Sequence, residues 1–166
     1  MIVNLYTVDM AMVVAALGAA ISAAGEVRRV PISRWRLLMP GAFALSATSL
    51  MISYPQMGDL LDVQFWIVLL VSVLLGVARG AFIAMASDQN WRLVRLDHGL
   101  DALLAALGVL LVAVAQFAIE AVTGAENRAE TTFEFAISVV SGYLIGRSIA
   151  AWFRARGLHH HDLKEV

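Results

Sequence analysis

The stretch Gln64 to Ala86 reads QFWIVLLVSVLLGVARGAFIAMA, an apolar run interrupted by one charge, Arg79. A bilayer hydrocarbon core of about 30 Å is crossed by roughly 20 apolar residues in helical form, so this run is long enough to span it. Four other stretches meet the same requirement: Tyr6 to Gly25, Leu37 to Tyr54, Leu100 to Val122 and Thr132 to Trp152. The expected fold is an all-α integral membrane protein, a bundle of five transmembrane helices. It forms a single membrane domain over residues 1–166, with a short polar tail at 153–166.

Charge placement orients the bundle. Arg28, Arg29, Arg34 and Arg36 lie between spans one and two, Arg92 and Arg95 between three and four, and Arg154, Arg156 and Lys164 in the tail. Arg79 and Arg147 sit toward the same side, which leaves Arg128 as the one base of the 12 Lys/Arg residues on the other. Cytoplasmic segments carry the excess of bases, so the N-terminus is expected outside and the C-terminus in the cytoplasm. The first span lacks a basic leader and a cleavage-like end, and reads as a retained span, not a signal peptide.

Hydrophobic residues make up 60% of the chain and the mean hydropathy is +0.78. A net charge of −1 gives no reason to expect a nucleic-acid partner. The absence of cysteine excludes disulfides, thiolate metal sites and thiol relays. Trp35, Trp66, Trp91 and Trp152 fall at span ends, where amphipathic rings anchor at the headgroup level.

Small residues recur at a spacing of four: Gly76, Gly80 and Ala84 in span three, and Ser138, Gly142, Gly146 and Ala150 in span five. Ala11, Ala15 and Ala19 form a similar stripe in span one. Such faces let helix backbones approach closely in lipid, where burial of apolar side chains gives little drive for association. They serve packing within the bundle or contact with a second copy or another membrane protein.

Asp9, Asp62, Asp101, Glu130 and Glu134 lie near helix N-termini, where a carboxylate complements the helix dipole. Arg79 and Arg147, near the cytoplasmic ends of their spans, read as bases that snorkel to lipid phosphate. Glu120 stands at the C-terminal end of span four, which the dipole disfavours, with Gln116 one turn earlier. It pairs with Arg128 across the short loop, is simply exposed to water, or forms a polar cation or proton site with Gln116, with or without Glu134 or Asp9. Tyr143 lies in the middle of span five, where its hydroxyl needs a partner.

His98 stands alone before the tail, which argues against a bis-histidine haem within one copy. His159, His160 and His161 lack the spacing of a built metal site. The connection from Ser87 to His98 interleaves Trp91, Leu93, Val94 and Leu96 with Arg92 and Arg95, which suits an interfacial helical turn or a small hairpin. A four-residue echo, Ala15 to Gly18 and Ala105 to Gly108, is what an alanine- and leucine-rich composition gives by itself.

The basic first inner loop, Leu37-Leu38-Met39-Pro40-Gly41 entering span two, Trp91-Arg92-Leu93-Val94-Arg95, and Gly146-Arg147-Ser148 followed by Trp152 together resemble the CcdC-like family of small bacterial membrane proteins. The resemblance implies five spans in a bacterial inner membrane and carries no catalytic residues over. Three functional classes follow from the residues. The first is a non-enzymatic accessory or scaffold subunit that packs against itself or a larger membrane complex. The second is a small transporter or channel component using Glu120, Gln116 and Arg79. The third is a binder of a quinone, lipid or pigment beside Tyr143, Phe135 and the glycine faces. No catalytic constellation, metal or obligatory cofactor is expected.

Overall fold

The computed structural model describes residues 5–28, 30–52, 63–88, 90, 92–97, 99–123 and 130–158. Helix α1 covers Leu5–Val27, α2 Met39–Ile52, α3 Val63–Phe82, α4 Leu100–Thr123 and α5 Glu130–Gly157. Five helical segments are long and apolar enough to cross a membrane, the second including the 3-10 turn Arg34–Leu38 that leads into α2. Pro40 sits in the first turn of α2, where its missing amide donor leaves no bond unmade.

Helix α5 is the centre of the arrangement. It packs against α2, α3 and α4, while α1 packs against α2 and α4. The core consists largely of alanines, among them Ala16 and Ala44, with Met12, Val109, Ile137 and Leu144 packed between them. Large apolar side chains such as Leu70, Leu74, Leu104 and Leu111 point outward, as expected of a surface that meets lipid. Ala15 and Ala19 of the α1 stripe are buried and Ala11 is exposed.

The fold is not purely helical. Strands β1 (Ile32–Ser33), β2 (Met85–Asp88) and β3 (Leu93–Leu96) form an antiparallel sheet in the order β1-β3-β2 at one end of the bundle, here the sheet end. The expected third span, drawn to Ala86, stops at Phe82, so Ala84 lies beyond the helix and is not part of its small-residue face. Two interactions explain the early stop. The Arg154 guanidinium donates to the carbonyl oxygens of Ala81 at 2.5 Å and Ile83 at 2.6 Å, partnering groups that a helix end leaves open. Ile83, Val94, Leu96 and Ile32 then bury a second, smaller core against Leu37 and Ala155.

Of the two structures expected for the Ser87 to His98 connection, the hairpin is the one formed. Asp88 Oδ1 accepts from the Asn90 amide at 2.9 Å, and Arg92 takes a left-handed φ of 54° in the turn. The Arg92 carbonyl accepts from the Arg34 amide at 3.0 Å, which ties in the first connection. Ser87 Oγ donates to the Ala155 carbonyl of α5 at 3.1 Å, so α5 runs beneath the sheet through Gly157 and takes in residues expected to be tail.

Candidate functional site

Where α1 ends and α4 begins, Glu26 and Asp101 meet two arginines. Gly99 makes this approach feasible, since a Cβ there would lie 2.8 Å from the Glu26 carbonyl carbon and oxygen. Asp101 occupies the first turn of α4 and Glu26 the last turn of α1. Arg147 reaches them from α5: Nη1 donates to Glu26 Oε2 at 2.8 Å, Nε to Asp101 Oδ2 at 3.0 Å and Nη2 to Asp101 Oδ1 at 3.2 Å. Both the Arg147 and Glu26 side chains are 0% exposed.

The glycine faces bring the second arginine into range. A Cβ on Gly76 would strike the Tyr143 carbonyl oxygen, and one on Gly146 the Val73 carbonyl oxygen. Gly80 would place a Cβ 2.5 Å from the Arg147 carbonyl oxygen and 2.8 Å from Ala150 Cβ, and Gly142 one 2.9 Å from the Leu69 carbonyl oxygen. The stripes of α3 and α5 therefore face each other within one chain, with Ser138 buried on α5 and donating to the Phe135 carbonyl at 2.8 Å. At this separation Arg79 Nε donates to Asp101 Oδ2 at 3.1 Å, and the Tyr143 hydroxyl donates to the same oxygen at 3.1 Å.

Two guanidiniums thus face two carboxylates, and the four charges sum to zero. Such a balance is what a region beside hydrocarbon requires, because an unmatched buried charge is costly there. Asp101 accepts four hydrogen bonds, which saturates it; Glu26 Oε1 has no hydrogen-bond partner among the described residues. The set binds α1, α3, α4 and α5 together. Among the described residues no three His, Cys, Asp or Glu side chains stand as a metal-ligand group.

A groove of about 180 Å³ runs beside this set, lined by Ser72 and Leu75 of α3, Ala105 of α4, and Val139, Val140 and Tyr143 of α5. Its lining is apolar apart from the Tyr143 and Ser72 hydroxyls. Helices α3 and α4 make little contact with each other, so the groove lies open between them with α5 as its floor.

Of the polar residues singled out in the sequence, Arg79, Arg147 and Tyr143 come together on Asp101. Arg147 is buried and paired within the chain, so it does not snorkel; Arg79 is 44% exposed and also paired. Gln116 is buried on α4, some 15 residues and roughly 22 Å along the helix from Asp101, and belongs to a different part of the bundle. Glu120 lies on α4, but its side chain and Arg128 fall outside the described residues, as do the side chain of Glu134 and all of His98 and His159 to His161.

By position Asp101 complements the α4 dipole, but its main partners are the two arginines and a tyrosine. Sequence reasoning misses Glu26. It shares with Glu120 the feature that singled out the latter, a carboxylate at a helix C-terminal end, and that signal was legible at Glu26 too. No family model, curated protein or solved structure matches this chain.

Proposed function

We propose that the chain is a multi-pass protein of a bacterial inner membrane, with its N-terminus outside and its sheet end in the cytoplasm, and that it acts as a non-enzymatic accessory or scaffold subunit. The positive-inside rule supports the orientation, since Arg28, Arg36, Arg92 and Arg156 are exposed at the sheet end. The proposed family, CcdC-like, rests on the sequence positions that carry the resemblance. The charged side chains at the centre of the site partner one another, which is the behaviour of a structural lock and not of a reaction centre.

The observation that carries the scaffold reading is the placement of α3. This helix docks chiefly on α5 and leaves Trp66, Leu70 and Leu74 exposed along the rest of its surface, apart from the groove. The glycine faces are occupied within the chain, so a second copy or another membrane protein would dock on the outer face of α3. A photoreactive residue at Leu70 or Leu74, activated in native membranes, tests this. A discrete crosslinked protein species supports the reading, whereas lipid adducts alone at both positions refute it. The groove between α3 and α4 favours a second reading, that of a binder of a membrane amphiphile.

A further inference from the structure

The groove and the ion set share Tyr143 and adjoin along α3 and α4 in a way that specifies an occupant. Ser72, Leu75 and Arg79 follow one another along one face of α3 at helical spacing, as do Ala105 and Asp101 on α4. The apolar groove therefore ends, toward the sheet, at Arg79 and Asp101, with Tyr143 both lining it and donating to Asp101. Arg79 spends its Nε on Asp101, and its two terminal nitrogens have no partner among the described residues. Asp101 is already held by Arg147 through two bonds and by Tyr143, so it accepts from Arg79 through Nε alone and leaves the terminal nitrogens to another acceptor.

Position along the helix fits the same occupant. Arg79 lies three residues before the end of α3, roughly 5 Å of helix rise, which places its guanidinium near headgroup level if α3 crosses a bilayer. A guanidinium with two free nitrogens in one plane matches two phosphate oxygens.

We propose that the groove holds one anionic phospholipid of the leaflet at the sheet end, an acyl chain lying along Leu75, Ala105 and Val139 and the phosphate seated on the terminal nitrogens of Arg79. This makes the second reading above specific and rests on the five helices spanning a bilayer; it is independent of whether α3 docks a protein. The lipid supplies acceptors to the terminal nitrogens of Arg79, which is 44% exposed, and covers the gap that α3 and α4 leave over α5.

The test uses the delipidated full chain in mild detergent, with phosphatidylglycerol and phosphatidylcholine of identical acyl chains added separately and retention read by native mass spectrometry. Phosphatidylglycerol should be retained about tenfold more tightly, because the choline ammonium of phosphatidylcholine competes with Arg79 for the same phosphate while the glycerol headgroup has no cation to do so. Arg79→Gln should equalise the two lipids, and Arg36→Gln, at an exposed arginine away from the groove, should leave the preference intact. Ala105→Leu fills the groove without touching a charge and should weaken retention of both lipids. It carries the test by itself if Arg79→Gln does not fold. Equal retention by the native chain, a preference that survives Arg79→Gln, an equal loss in Arg36→Gln, or retention unchanged in Ala105→Leu would each overturn the proposal. So would full displacement by soluble glycerol phosphate, which would mark a site for free phosphate and not for a lipid.

Discussion

Replacing Arg147 by methionine removes the hub of the ion set while keeping a long apolar stem. The two carboxylates suffer unequally. Asp101 keeps Arg79 and Tyr143 as donors and is 19% exposed, whereas Glu26, with a side chain 0% exposed, loses its hydrogen-bond donor among the described residues. Breaking a buried ion pair from one side costs about 3–5 kcal/mol, because a charge is left without a partner. Most of that cost falls on Glu26, so adding Glu26→Leu to Arg147→Met should return roughly 2 kcal/mol. Reversible unfolding in mixed micelles, followed by circular dichroism for the native chain, both single variants and the double variant, gives the coupling directly. If the two single losses add to within about 0.5 kcal/mol in the double variant, the pair is not energetically joined and the reasoning fails.

Three further outcomes are expected. Gly146→Ala should lower stability by about 1–3 kcal/mol, since the new Cβ meets the Val73 carbonyl, while Ala78→Leu on the exposed side of α3 should stay within about 0.5 kcal/mol; equal losses in the same unfolding assay would remove the case for a specialised α3–α5 contact. Arg92→Gly should stabilise the hairpin by about 1 kcal/mol by relieving a left-handed backbone, seen as slower amide exchange across Leu93–Leu96, and Arg92→Val should speed that exchange. Because the chain has no cysteine, single cysteines at Asn127 and Arg156 report sidedness; impermeant labelling from outside should reach the first and spare the second, and the reverse would invert the proposed topology.

The five apolar helices were legible because crossing hydrocarbon is a constraint on length and composition along one segment at a time. The boundary at Phe82 was not. Ile83 to Ala86 is as apolar as the helix before it, and what turns it into a strand lies elsewhere: Leu93 to Leu96 as its pairing partner, Ile32 as the third strand and Arg154 on the helix-end carbonyls. The alternation around Arg92 and Arg95 did point to a hairpin, yet it suited a helical turn equally until the partners were in view. The small-residue stripes of α3 and α5 were visible as stripes, but spacing does not say which face meets which. The ion set was the least legible part. Its members come from four helices, and Asp101 and Arg147 each have an adequate local explanation that hides the pairing.

The order in which the helices are made gives α5 a late and decisive part. While the ribosome has produced only α1 to α4, Glu26 and Asp101 wait without Arg147, and α3 lacks the glycine face it fits. Arrival of α5 supplies both at once, so α3 joins the packing of α1, α2 and α4 only when the last helix is in place. A chain interrupted before Gly142 would carry Glu26 without its arginine and a third helix without the face it packs on.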